Sequence, residues 1–236
     1  MAILTVFMCF GIGARAGVSD VEDFAAVQPD GVEEPASPSD PSTPSDPYEN
    51  DNTDEYAEMY LVSYWNVASP HIFVYFKNLT KHDITVGAYT CPAGKGVSVA
   101  TLGVSTADGD GTGIYYNMEL YRIGQDGKFP MVIILKKIVS KDDLQKVTDF
   151  ILNHNRWDFF IFNCSWFAAK CWNLGGGAYL VPITMFPTIV RIEMLFHHPI
   201  DKKDFELEPV ERDEVFRQVG EGDLATLKVA SDKSMG

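Results

Sequence analysis

The stretch Ile161–Asn173, IFNCSWFAAKCWN, carries the densest signal in the chain. Asn163 is a good helix N-cap, and the run that follows is apolar and aromatic up to the stop at Gly175-Gly176-Gly177. The spacing predicts a helix from Asn163 to about Asn173, with Cys164 in its first turn. There the unpaired backbone N–H groups and the positive end of the helix dipole favour thiolate over thiol. The same first turn, at Cys164 and Ser165, offers backbone donors to an oxyanion. Cys171, two turns further on, lacks those donors and reads as packing.

Working outward, the segments upstream are of β type. They run from Tyr60 to Ala68, His71 to Lys77, Ile84 to Thr90, Gly96 to Leu102, Ile114 to Tyr121 and Met131 to Val139, with turn residues between them. Ser140 can cap a helix from Lys141 to about Asn155, with a stripe of Leu144, Val147, Phe150 and Ile151, and Pro187 can open a third helix. Strands first and helices afterwards predict an α+β domain, an antiparallel sheet packed against the Cys-bearing helix. The glycines of ADGDGTG (residues 107–113) lead into a strand rather than a helix, so they are not a phosphate loop.

The ends read differently. Residues 1–16, MAILTVFMCFGIGARA, combine a short apolar run with an Ala-Arg-Ala cleavage pattern, as in a signal peptide. Residues 17–57 are Pro- and Ser-rich and acidic, the composition of a disordered linker. The domain is expected over residues 58–200, followed by a charged, peripheral segment over 201–236. This organisation implies a secreted or cell-envelope protein that is not transmembrane once the leader is removed.

Charge follows the same division. Of 33 acidic and 19 basic residues, thirteen acids and no Lys or Arg lie between Gly17 and Glu58. From Met59 onward there are 20 acids and 18 bases, so the domain lacks the basic footprint of a nucleic-acid binder. Four cysteines without CxxC or Cys/His spacing predict neither a zinc site nor a disulfide scaffold, and no metal or organic cofactor is expected.

A thiolate nucleophile needs a base within reach. Of the five histidines, His82 sits in a charged turn, His154 ends a helix, and His197 and His198 precede Pro199. His71 opens an apolar strand directly after Ser69-Pro70, where a ring is positioned rather than buried. A His opening a strand, then several strands, then the Asn163-Cys164-x-x-Phe167 helix resembles the circularly permuted NlpC/P60 group of the papain-like fold. The resemblance covers residues 71–173. It implies His71 facing Cys164 across a groove, and hydrolysis or transfer at an amide or ester carbonyl, with peptide or acyl substrates such as cell-wall peptides. The family carries a polar residue on the strand after the His that orients the imidazole. In this chain that strand is Ile84–Thr90, where Tyr89 and Thr90 are the candidates. The alternative is an exported, non-catalytic binding module on the same fold.

Overall fold

The computed structural model describes residues 55–66, 69–103, 111–126, 132–182 and 186–230. The expected leader over 1–16 and nearly all of the linker over 17–57 lie outside the described residues, as does most of the Gly-rich 107–113 loop.

The first described element is a long antiparallel hairpin, β1 (Ala57–Asn66) and β2 (Ser69–Asn78), registered from Ala57↔Asn78 to Asn66↔Ser69. Two short strands, β3 (Ile84–Val86) and β4 (Tyr89–Cys91), pair separately. Then come β5 (Gly96–Gly103), β6 (Thr112–Tyr116), α1 (Met118–Asp126), β7 (Ile133–Val139), α2 (Lys141–Leu152), α3 (Cys164–Leu174), α4 (Pro187–Leu195), β8 (Phe216–Val219) and β9 (Thr226–Val229). Among the described residues, seven strands form one antiparallel sheet in the order β7-β1-β2-β5-β6-β8-β9. The domain is α+β.

Both faces of the sheet are covered. Ile72, Val74 and Phe76 of β2 point to one side and pack with Leu144 and Val147 of α2, Phe167 and Cys171 of α3, and Val190 of α4. Phe73 and Tyr75 point to the other side, against Leu120 of α1 and the segment carrying Phe205 and Leu207. This explains why HIFVYFK is apolar at nearly every position instead of alternating: with no solvent face, period 2 disappears. Phe73 and Phe76 are fully buried, and each contributes roughly 1.5–3 kcal/mol of burial free energy.

The caps are where the sequence puts them. Ser140 accepts the backbone N–H of Asp143, and Asn163 accepts that of Trp166. Three local expectations are corrected. The segment 84–90 is not one strand: it folds back at Gly87 (φ 58°), where a Cβ would collide with the Tyr116 hydroxyl and the Ile151 side chain. The strand from Ile114 ends at Tyr116, because Asn117 takes a left-handed conformation (φ 62°) and starts α1. The segment after residue 200 is not peripheral. Phe205 and Leu207 alternate with Glu206 and Glu208, putting apolar side chains on the sheet and acids in water, and β8 and β9 extend the sheet. Gln218 of β8 is fully buried and accepts the Tyr116 hydroxyl at 2.8 Å.

Candidate active site

The site begins with a parting of strands. The β2–β5 ladder runs from Lys77↔Gly96 to Val74↔Val99 and stops. Beyond that rung β2 stays paired with β1 and β5 with β6, so the two diverge. His71 lies three residues past the last rung on one wall, and Thr101 two residues past it on the other, on the order of 10 and 7 Å along their strands. The N-terminus of α3 faces this opening, with Cys164 as its first residue.

The helix start is well built. Asn163 is extended (φ −85°, ψ 178°), and its Oδ1 accepts both the Trp166 N–H at 3.1 Å and the Ser165 hydroxyl at 2.7 Å. Cys164 is half-buried, and its sulfur faces the His71 ring and the backbone of Ile72, both of which favour the thiolate. The backbone N–H groups of Cys164 and Ser165 belong to this first turn.

Contrary to the expectation that it would be positioned rather than buried, His71 is buried, on the face it shares with Phe73, stacked on that ring and edge-on to Tyr64 at 5.4 Å between centroids. Its Nε2 is 2.7 Å from Oε1 of Glu119. That leaves Nδ1 as the nitrogen available to the thiol. Glu119 stands in the first turn of α1, on the opposite side of the sheet from α3, and is wholly inaccessible to solvent. The carboxylate and the thiol therefore approach the imidazole from opposite faces, and they meet it where β2 and β5 have parted. Arg122, one turn further along α1, stands 3.6 Å from the same carboxylate oxygen.

The electrostatics follow from these contacts. Burial alone pushes the His71 pKa down, but the facing Cys164 and the hydrogen-bonded Glu119 together lift it to about 10. Burial pushes the Cys164 thiol up, and the imidazolium, its hydrogen bond and the Ile72 backbone outweigh this and hold it below its ordinary value. Glu119 is likewise raised by burial and lowered further by His71, so it stays ionised. These contacts favour a thiolate–imidazolium pair with a buried carboxylate behind the imidazolium. Cys171, by contrast, is fully buried among apolar groups, and its pKa is pushed well up.

The carboxylate is what the sequence reading missed. Tyr89 and Thr90 do not hold His71: Tyr89 stacks on Tyr116 and leans on Phe216, and Thr90 is exposed on β4. Glu119 holds the imidazole instead. A strand read from Ile114 through Tyr121 hides it, although an Asn followed by Met-Glu-Leu is itself a helix-start signal. The other histidines are elsewhere. His82 meets the Tyr56 hydroxyl, His154 bonds the Phe150 carbonyl, and His197 and His198 follow α4.

No family model, curated protein or solved structure matches this chain.

The Cys164–His71 pair opens into a cleft of about 510 Å³. Its walls include Pro70, Trp157, Phe159, Phe186 and Pro187, and its described lining contains no Lys, Arg, Asp or Glu. Gly103 lets the Trp157 ring lie directly on β5, since a Cβ there would collide with the indole. Phe159 and Phe186 are more than half exposed at the mouth. Among the described residues there is no cluster of three metal-ligating side chains, and no helix is long and apolar enough to cross a membrane.

Proposed function

We propose that this protein is an exported cysteine hydrolase of permuted papain-like (NlpC/P60) architecture, cleaving an amide or ester bond. The observation that carries the reading is the relay Cys164–His71–Glu119 at the edge of an open cleft. A structural cysteine gains nothing from a thiol pKa held down, or from a buried carboxylate 2.7 Å behind its histidine partner.

The chemistry runs in two halves. The Cys164 thiolate attacks the carbonyl carbon, and the electrons of the C=O bond move onto oxygen, where the N–H groups of the first turn receive the charge. As the tetrahedral species collapses, the bond to the leaving group breaks and His71 gives that group its proton, leaving a thioester on Cys164. A water then enters, His71 takes its proton, and the second collapse releases the acid and restores the thiolate. Glu119 keeps the imidazole in one orientation and stabilises its charged form. The apolar, uncharged cleft favours a substrate with an uncharged group beside the scissile carbonyl, whether in a peptide or an acyl ester.

The test is reaction with iodoacetamide near neutral pH, followed by hydrolysis assays on nitrophenyl esters and peptide amides. Cys164 is expected to alkylate rapidly and Cys171 not at all in the folded protein. Cys164→Ala and His71→Ala should each abolish hydrolysis, with the double variant little worse than either, because nucleophile and base act as one unit. An unreactive Cys164 in the folded protein would turn the reading toward a binding module.

A further inference from the structure

We propose that the side-chain hydroxyl of Thr101 is an oxyanion donor, acting across the cleft from the first turn of α3. This rests on the hydrolase reading and adds to it a residue that touches the reacting atoms. Thr101 lies on β5 between Ala100 and Leu102, whose side chains pack on the far face of the sheet. Alternation therefore turns Thr101 toward the α3 side, where it lines the same cleft as Cys164. It is 2% exposed, and its Oγ1 has no hydrogen-bond partner among the described residues.

A buried hydroxyl with no partner is costly to keep, and valine would fill the same volume in a strand without that cost. The position makes sense if the partner arrives with the substrate. His71 and the Ile72 backbone engage the sulfur from the β2 wall, and Thr101 stands on the β5 wall opposite. When the Cys164 sulfur bonds to the carbonyl carbon, the C=O electron pair moves onto the oxygen. The first-turn N–H groups of Cys164 and Ser165 donate from one side, and the Thr101 O–H donates from the other. A donor aimed at charge that exists only in the transition state raises the rate of acylation without tightening ground-state binding.

The contrast between two reactions of the same sulfur isolates this role. Acylation by p-nitrophenyl butyrate builds an oxyanion and expels nitrophenolate. Alkylation by iodoacetamide displaces iodide and builds none. In Thr101→Val, burst release of nitrophenolate should slow about 100-fold or more, while alkylation stays within about twofold of wild type. Thr101→Ser should keep most of the acylation rate, and the melting temperature of Thr101→Val should be equal to or above wild type. Thr101→Ala serves the same comparison if the valine variant does not fold. The proposal is overturned if Thr101→Val acylates like wild type, if both reactions slow together, or if Thr101→Ser is as slow as Thr101→Val. If wild-type Cys164 alkylates readily but gives no nitrophenolate burst, the hydrolase reading itself falls and takes this proposal with it.

Discussion

Replacing Glu119 by Gln tests the relay at the member that sequence reasoning did not find. The substitution keeps shape and leaves an amide oxygen able to accept from Nε2, but it removes the charge behind the imidazolium. Both groups are buried and 2.7 Å apart. At an effective dielectric of about 20 the bare attraction at that distance is on the order of 6 kcal/mol, but much of it offsets desolvation. The net worth of a hydrogen bond to a charged partner, about 1.5–3 kcal/mol, is the better guide. At 1.36 kcal/mol per pKa unit, His71 should fall by about one to two units from its value of about 10. Glu119 also acts directly on Cys164, pushing the thiol up, so its loss works in the opposite sense there. That effect is smaller, which makes the histidine the cleaner reporter. A histidine raised in the folded state contributes stability fully below its unfolded pKa near 6.5, and loses it as pH rises through about 10. The variant should lose that contribution one to two units earlier. The measurement is a ring-resonance titration of isotopically labelled histidine from pH 5 to 11, with the His71 signal assigned by its absence in His71→Ala. An unchanged His71 pKa in a folded Glu119→Gln protein would refute the relay.

Further outcomes follow from the same geometry. Asn163→Ala should cost about 1 kcal/mol by removing the cap, a fall of roughly 2–4 °C in melting temperature for a domain of this size. Asn163→Asp should keep the cap yet slow alkylation of Cys164, because it places a negative charge beside the thiolate; thermal melts and iodoacetamide kinetics separate the two. Ending the chain after Ile200 removes β8, β9, Phe205 and Leu207 and exposes Tyr60, Tyr75 and Tyr116. Five such losses of about 1.5–3 kcal/mol each, together with the β6–β8 ladder, add up to the stability of a typical domain, about 5–15 kcal/mol, so the shortened chain should not fold. A circular-dichroism melt within a few degrees of the full chain would contradict this.

Much of the domain was legible because its signals are local. Asn163 before an apolar run announces a helix start, and a cysteine one residue later is in the first turn whatever packs around it. Ser140 does the same for α2. His71 at a strand's mouth after Ser69-Pro70 was singled out by elimination among five histidines, and the structure brings it to Cys164. Strand order, the loss of a solvent face on β2, and the role of residues after 200 were not local. The acids of Asp204, Glu206 and Glu208 dominate the composition there, while the alternating Phe205 and Leu207 do the packing. Glu119 shows the limit most clearly. Its sequence neighbours say only that a helix can begin near Asn117. That its carboxylate meets an imidazole 48 residues earlier in the chain depends on α1 crossing one face of the sheet while α3 crosses the other. The caps at Ser140 and Asn163, the long strands and the cysteine at a helix start are legible in the amino-acid order, since caps, turns and periodicity act within a few residues; α1, the fold-back at Gly87 and β8–β9 are not. Only the tertiary structure decided the partner of His71, the opening between β2 and β5, and the apolar cleft. Those depend on where the sheet ladder stops, a matter of packing between elements far apart in the chain.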